Sequence, residues 1–144
     1  MLSQSKIQSV RIQGYRPFRD FSAHFDALEV LVGANGSGKS SLFEFLKFLR
    51  DGVHADIPPE IIAGSIGQQI FHVPGPQRFA WRLDIDTGIK TEETGEANLL
   101  RYQGELMGPV GRFQMVLEQA QMTKPFANQK VPYRFMNIRA RQGT

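Results

Sequence analysis

Residues 33–40 have the residue types and the spacing to bind the phosphates of a nucleotide. They read Gly-Ala-Asn-Gly-Ser-Gly-Lys-Ser and fit the pattern G-x-x-x-x-G-K-[ST] of the Walker A phosphate-binding loop. The glycines allow backbone N–H groups to face a phosphate without Cβ clashes, and the start of a helix adds its positive dipole end. We expect Lys39 to contact the β- and γ-phosphates and the Ser40 hydroxyl to ligate Mg²⁺. The residues predicted to bind the nucleotide are Gly33, Asn35, Gly36, Ser37, Gly38, Lys39, Ser40 and Ser41, and Ser40 is the predicted metal ligand.

A glycine-rich turn without a ligand is the structural alternative for this segment. Lys39 argues against that alternative, because a cation in the first turn of a helix opposes the helix dipole and costs about 0.3–1 kcal/mol. A lysine and a serine at the start of a purely structural helix would have no physical role. We therefore interpret residues 33–40 as a binding loop.

The elements on either side of this loop are a strand and a helix. Residues 28–32 form a short apolar run that ends at Gly33, which is typical of a strand covered on both faces. Residues 40–50 have helical periodicity, and Gly52 follows them. The apolar stripe of that helix consists of Leu42, Phe45, Leu46 and Leu49, widened by Phe43 and Phe48.

Two further strands are predicted before the loop. Residues 7–14 are rich in β-branched types, and residues 21–25 alternate between apolar and polar side chains. Pro17 forces Arg16 out of the helical region, so residues 15–19 are predicted to form a turn. The two strands should pair with each other.

The second half of the chain changes to the period-2 patterns of half-buried strands. Residues 79–85 place four apolar side chains on one face, and residues 97–107 and 112–119 are predicted to form a hairpin around a turn at 108–111. Before them, we expect a short helical turn after Pro58 and Pro59 and then mainly loop from Gly64 to Pro76. The segment from Lys124 to Thr144 has no clean period and is predicted as strand or coil.

Length and composition indicate one soluble globular domain. The chain has 144 residues, 41% of them hydrophobic, and a net charge of +3, which is too small to point to nucleic acid by itself. It has no cysteine, so disulfides, thiolate metal sites and cysteine nucleophiles are excluded. No apolar run reaches the roughly 18 residues of a membrane span. We therefore expect a cytoplasmic protein that does not contact a membrane.

The loop and the segment before it resemble the N-terminal head of the ABC-like ATPases of the RecF and SMC type, and more specifically their bacterial AAA-family ATP-binding relatives. The resemblance rests on the form G-A-N-G-S-G-K-S-S, preceded by Val10-Arg11-Ile12-Gln13-Gly14-Tyr15-Arg16-Pro17-Phe18. It implies an α/β P-loop NTPase fold whose N-terminal lobe is β-rich, with ATP and Mg²⁺ as ligands. It also implies that Arg16, which matches the family's arginine, lies near the nucleotide. Gly14 stands where the family usually has asparagine.

Two family motifs that support hydrolysis do not occur in these 144 residues. A Walker B strand would end in Asp-Glu, whereas residues 113–118 contain an interrupting Gln114 and a lone Glu118, as an ordinary strand would. Residues 64–68 only faintly echo the family's Ser-Gly-Gly signature and are interpreted as loop. No catalytic residue is assigned. The family's Q-loop glutamine stays unassigned among Gln103, Gln114, Gln119 and Gln121.

These observations predict that residues 1–144 form a single incomplete domain, with the strands, loop and helix in 1–52 and the later strands in 53–144. The resemblance implies a homodimer joined through nucleotide, a C-terminal lobe of the same protein, and DNA as a partner. The complete protein should hydrolyse ATP, and the isolated chain should bind it weakly without turnover. The alternatives are a nucleotide-sensing module without hydrolysis and a small-molecule P-loop kinase.

Three other groups of side chains could in principle do chemistry, and each has a simpler interpretation. The histidines lack the spacing of metal ligands. The pair Asp84 and Asp86 fits a solvated strand face better than a catalytic pair. Arginines alternate with aromatic residues near the C-terminus, as in a nucleic-acid patch, but a solvated tail is the simpler interpretation. The histidines are His24, His54 and His72. The C-terminal set consists of Arg134, Arg139 and Arg141 with Tyr133 and Phe135.

Overall fold

The computed structural model describes residues 5–25, 39–52, 70–109 and 114–140. Within them lie six strands and one helix, in an order in which the helix separates the first two strands from the last four. The elements are β1 Lys6–Tyr15, β2 Phe18–His24, α1 Lys39–Gly52, β3 Arg78–Asp86, β4 Leu100–Met107, β5 Gln114–Met122 and β6 Arg134–Arg139.

The six strands form one sheet in the spatial order β2-β1-β3-β4-β5-β6, and all neighbours are antiparallel. The register places Ile12 of β1 between Phe21 of β2 and Trp81 of β3. Trp81 in turn lies opposite Gly104 of β4. Since side chains alternate along a strand, this row fixes which residues share each face.

Helix α1 packs on the apolar face of the sheet, over β1 and β3. Leu42, Phe45 and Phe48 of α1 are buried in one cluster with the sheet. The two phenylalanine rings of the helix meet aromatic rings of β3 edge to face. The ring centroids of Phe45 and Trp81 are 6.1 Å apart, and those of Phe48 and Phe79 are also 6.1 Å apart. Such aromatic pairs add about 0.5–1.5 kcal/mol each to the stabilisation from burial. The core therefore anchors the helix that follows the predicted phosphate-binding loop.

The opposite face of the sheet is polar and carries a row of hydrogen-bonded side chains. Arg82 donates to Gln103, whose amide donates to Gln119, whose amide donates to Asn137. The row crosses β3, β4, β5 and β6 through residues that are register partners. These bonds explain how Gln119 can be 5% exposed, because a buried amide is tolerated where its donors and acceptors are paired.

Two glycines allow close approach of neighbouring groups. Gly14 has a φ of +78°, and a Cβ there would collide with the carbonyl oxygen of Arg78. A Cβ at Gly104 would collide with the indole of Trp81. Glycine at position 14 is thus required by the contact between β1 and β3.

The structure confirms the predicted antiparallel lobe packed on helix α1, the pairing of the first two strands, the half-buried strand at 79–85 and the hairpin that follows. The hairpin strands lie a few residues later than predicted, since β4 begins at Leu100 and β5 ends at Met122. The C-terminal segment contains a strand, β6, at the edge of the sheet.

Several predicted features lie outside the described residues. They include the strand at 28–32, the helical turn after Pro58 and the start of the predicted loop at 64–69. The described residues form an antiparallel sheet with one helix. The predicted α/β arrangement therefore depends on the strand predicted at residues 28–32. No helix among the described residues has the length and apolarity to cross a membrane.

Candidate nucleotide-binding site

Helix α1 begins at Lys39, directly after the glycines of the predicted phosphate-binding loop. In its first turn the Ser40 side chain is exposed and Ser41 is partly buried. There is no acidic residue in this turn, so the positive end of the helix dipole is not offset from within the helix. The loop residues Gly33, Asn35, Gly36, Ser37 and Gly38 lie outside the described residues.

The turn between β1 and β2 is held against the chain just before β3. Arg16, at its centre, has a φ of +46°, which is uncommon for a residue with a side chain. Its backbone N–H donates to the carbonyl oxygen of Ile70 at 2.9 Å, and the backbone N–H of His72 donates to the carbonyl oxygen of Gly14 at 2.8 Å. These two bonds fix the backbone of the turn on both sides of Tyr15.

His72 also contacts the turn with its side chain. The distance between its Nδ1 and the carbonyl oxygen of Arg16 is 2.7 Å. A carbonyl oxygen can only accept, so Nδ1 must carry the proton in this contact. A left-handed residue costs about 1–3 kcal/mol unless its surroundings hold it in place, and His72 is one of the groups that hold Arg16.

The side chain of Arg16 is directed at helix α1. Its guanidinium lies 2.8 Å from the carboxylate of Glu44, and the Arg16 side chain is only 8% exposed. The guanidinium carbon is also 5.8 Å from the centre of the Tyr15 ring. Glu44 is four residues after Ser40, so the two side chains share one face of the helix. The structure therefore places the arginine beside the first turns of helix α1.

Tyr15 forms the apolar wall behind this ion pair. It is fully buried, with its ring centroid 5.4 Å from those of both Phe45 and Phe79. Burial raises the pKa of the Tyr15 hydroxyl well above its usual value, and the negative charge of Glu44 raises it further. The phenol thus stays neutral, and the charges beside the helix are those of Arg16 and Glu44.

The sequence analysis missed three participants in this arrangement: Glu44, His72 and the backbone of Ile70. Glu44 carries a local signal, since it follows the P-loop serine Ser40 by one helical turn. His72 and Ile70 carry none, because their contacts join segments more than 50 residues apart. The prediction that Arg16 and residues 33–41 bind nucleotide stays a prediction.

The remaining candidates have structural roles among the described residues. Asp84 lies on the polar face, as predicted, but it is mostly covered because Arg101 donates to both its oxygens, at 2.8 and 2.9 Å. Glu118 accepts a hydrogen bond from the hydroxyl of Tyr102 at 2.8 Å, within an ordinary strand of the sheet. The described residues contain no group of three or more side chains suited to a metal ion.

Arg134, Arg139, Tyr133 and Phe135 lie on or next to the exposed edge strand β6, whereas Arg141 and His54 lie outside the described residues. Tyr133 and Phe135 stack edge to face at 4.9 Å, and both are about half exposed. Arg134 donates to Gln121 of the neighbouring strand. Residues 134–139 of this segment therefore form an edge strand whose side chains are mostly exposed to solvent.

Comparison with known proteins assigns the chain to a family. Residues 6–100 match the family described as AAA ATPase domain. Over 108 residues the chain is 34% identical to the structural maintenance of chromosomes protein 3 of Caenorhabditis elegans, an alignment that covers 69% of this chain and 8% of that protein. The chain thus spans a small part of the length of this relative. These matches confirm the resemblance to ATPase heads of the SMC type, and the chain belongs to the AAA ATPase domain family.

Proposed function

We propose that the chain binds ATP together with Mg²⁺ through residues 33–41, with Arg16 contributing to the contact. The observation that carries the proposal is the start of α1 at Lys39, immediately after the glycine-rich loop. Membership of an ATPase family supports it.

The chemistry of the site suits the triphosphate of ATP. Lys39 supplies a positive charge for the β- and γ-phosphates, and the exposed Ser40 hydroxyl supplies an oxygen ligand for Mg²⁺. The dipole end of α1 and the backbone N–H groups of the loop add attraction for the anion. These contacts would hold the nucleotide but would not by themselves activate water.

We also infer that hydrolysis belongs to a larger assembly. Attack of water on the γ-phosphate requires a group that positions the water and further charge stabilisation on the far side of that phosphate. In ATPases of the resembled type these come from a Walker B carboxylate in a C-terminal lobe and from a second head. We therefore propose that the complete protein forms a dimer joined through nucleotide. We also propose DNA as a candidate partner and the cytoplasm as the compartment.

Titration of the chain with Mg²⁺–ATP by calorimetry tests the binding proposal. Lys39→Ala removes a charge-assisted contact worth about 1.5–3 kcal/mol, which corresponds to a roughly tenfold to hundredfold loss of affinity. Lys47→Ala is the matched control, because Lys47 is an exposed lysine two turns further along the same helix. Equal affinities for the wild type and Lys39→Ala would refute the assignment.

The metal contact has its own test. Ser40→Ala should abolish most of the gain in ATP affinity that Mg²⁺ provides, since the replacement lacks the oxygen ligand. Ser22→Ala, at an exposed serine of β2, should leave that gain unchanged. A Mg²⁺ effect that survives in Ser40→Ala would place the metal elsewhere.

Phosphate release separates an ATPase from a nucleotide sensor. Residues 1–144 should show no appreciable turnover, whereas the complete, dimerised protein should release phosphate in a manner that depends on Lys39. Steady release by residues 1–144, lost in Lys39→Ala, would show that the catalytic set already lies within these residues. A complete protein that binds ATP without releasing phosphate would be a sensor.

A further inference from the structure

Glu44 has a position that the motif of the P-loop does not explain. It lies on α1 one turn after Ser40, and its carboxylate is 2.8 Å from the guanidinium of Arg16. The Arg16 side chain is 8% exposed, whereas that of Glu44 is 31% exposed. The pair thus joins a nearly buried cation from the β1–β2 turn to the helix that carries the predicted Mg²⁺ ligand.

We propose that Glu44 is a positioning residue that holds the guanidinium of Arg16 beside the first turns of α1, where it assists nucleotide binding. The inference rests on the proposed nucleotide site. It assigns to Glu44 an indirect effect on the bound phosphates, exerted through the arginine.

Glu44 is not needed to hold the backbone of the turn. The Arg16 N–H already donates to Ile70, and His72 donates to the carbonyl oxygens of Arg16 and Gly14. These three hydrogen bonds fix the backbone of the turn. An arginine side chain has several rotatable bonds beyond its backbone, and fixing them costs up to about 2 kcal/mol of conformational entropy. A carboxylate on the adjacent helix orders those bonds before a nucleotide arrives, which lowers the entropic cost of binding.

The geometry of a guanidinium allows it to serve a carboxylate and a phosphate together. It carries five N–H donors in a planar fork, so contacts with two acceptors on different sides are compatible. The ring of Tyr15, 5.8 Å from the guanidinium carbon, is a neutral surface behind it. Arg16 therefore lies between the aromatic core and the helix, with its rotation limited from both sides.

The sign of the effect distinguishes positioning from simple electrostatics. A carboxylate near a triphosphate repels it, so removal of Glu44 would strengthen ATP binding if charge alone mattered. If Glu44 positions Arg16, its removal weakens binding. If the ion pair were purely structural, removal of Glu44 would change the unfolding temperature and leave the affinity unaltered. The presence of a buried ion pair is in general weak evidence that it stabilises the fold.

The test is a double-mutant cycle on Mg²⁺–ATP affinity, measured by calorimetry with the wild type, Glu44→Ala, Arg16→Ala and the double variant. Glu44→Ala should weaken binding about threefold to tenfold, and it should have no further effect in the Arg16→Ala background. Glu44→Gln keeps an oxygen acceptor for the guanidinium and should retain most of the affinity.

Asp20→Ala is the matched control, because Asp20 forms a bidentate pair with Arg11 on the polar face, away from α1. It should leave the affinity unchanged. Circular dichroism and the unfolding temperature of each variant establish that the fold is kept.

Other results would overturn the inference. Unchanged or tighter binding by Glu44→Ala, or an equal loss in the presence and absence of Arg16, would show that Glu44 does not act through the arginine. If Lys39→Ala still weakens binding roughly tenfold to hundredfold in the same assay, only the role of Glu44 fails. If the wild type itself does not bind Mg²⁺–ATP, the proposed function and this inference fail together.

Discussion

The two ends of the sheet differ in what holds them. Around β1 and β3, one face is covered by α1, and the side chains between them are aromatic and buried. Around β5 and β6, side chains are joined mainly by polar contacts, and large apolar groups such as Phe135 and Ile138 are about half exposed. The same antiparallel backbone is thus stabilised by burial at one end and by hydrogen bonds at the other.

This contrast indicates where a change in the chain is felt most. Apolar burial contributes about 25 cal/mol per Å² and adds up over many contacts. A typical net hydrogen bond contributes only about 0.5–1.5 kcal/mol, but a buried group left without its partner costs more. The end that carries α1 should therefore dominate global stability, and the other end should depend on a few buried polar side chains.

The largest expected effect comes from Phe45→Ala in helix α1. Phe45 is fully buried between Tyr15 and Trp81, so its removal leaves a cavity and should lower the free energy of unfolding by about 3–5 kcal/mol. Phe135→Ala, at a residue that is 57% exposed on β6, should cost less than about 1 kcal/mol. Urea denaturation measures both, and equal losses would contradict the contrast.

A smaller loss is expected at Asn98, a buried polar residue of the other end. Its amide donates to the carbonyl oxygen of Lys124, and its Oδ1 accepts from the backbone N–H of Lys124, at 3.0 and 2.9 Å. Asn98→Ala leaves these backbone groups without partners and should cost about 2–3 kcal/mol. Gln129→Ala, at an exposed amide side chain, is the control and should cost about 0.5 kcal/mol or less in the same urea experiment. A similar cost at both positions would mean that burial of Asn98 is unimportant.

At the boundary between the two ends, Gly104→Ala should be destabilising by about 1–3 kcal/mol, because the new Cβ collides with the indole of Trp81. The larger ring of the indole contributes the colliding atoms, so Trp81→Phe should relieve the collision. Measured in that background, the cost of Gly104→Ala should fall by about 1 kcal/mol or more. Strict additivity of the two substitutions would exclude the collision as the cause.

The smallest effects are expected from acid titration of two exposed carboxylates, one from each end. A hydrogen bond from Arg11 lowers the pKa of Asp20, and one from Lys124 lowers the pKa of Glu96. A carboxyl group whose pKa is lowered by folding stabilises the folded state at pH values above the pKa of the unfolded chain. This contribution is lost as the pH falls through the lowered pKa of the folded state. Asp20→Asn and Glu96→Gln should each reduce the dependence of the unfolding free energy on pH in the acid range, and by similarly small amounts. A large effect of either variant would show that its ion pair is shielded from solvent.

The sequence predicted the elements whose side chains separate into a buried and an exposed face. Strand β3 alternates strictly, and Phe79, Trp81 and Leu83 are buried as that alternation requires. Strand β6 was harder to predict because it lies at the sheet edge with most of its residues exposed, so burial imposes no alternation on it. The later start of β4 has a different cause, since Asn98 bonds to Lys124 across the hairpin and Ala97 belongs to a separate bridge with Lys90.

The candidate site was predictable only in its local part. The phosphate-binding pattern lies within eight consecutive residues, so the sequence alone displays it. The contacts of Arg16 with Glu44, Ile70 and His72 depend on how distant segments meet, and no spacing in the chain encodes them. Asp84 shows the same limit, because its pairing with Arg101 follows from the register of β3 and β4.

The pairing of β1 with β3 also constrains how the chain reaches its folded state. About 60 residues separate Tyr15 from Arg78, and helix α1 lies within that interval. The hairpin of β1 and β2 can form from local contacts in microseconds, but the partner of β1 on its other side is synthesised much later. Closing so long a loop costs conformational entropy before the core contacts compensate for it. Proteins with many such non-local contacts fold more slowly. The helix that begins at Lys39 should therefore gain its stable packing only when β3 joins the sheet. The proposed nucleotide site would then become competent at the same stage of folding as the sheet is completed.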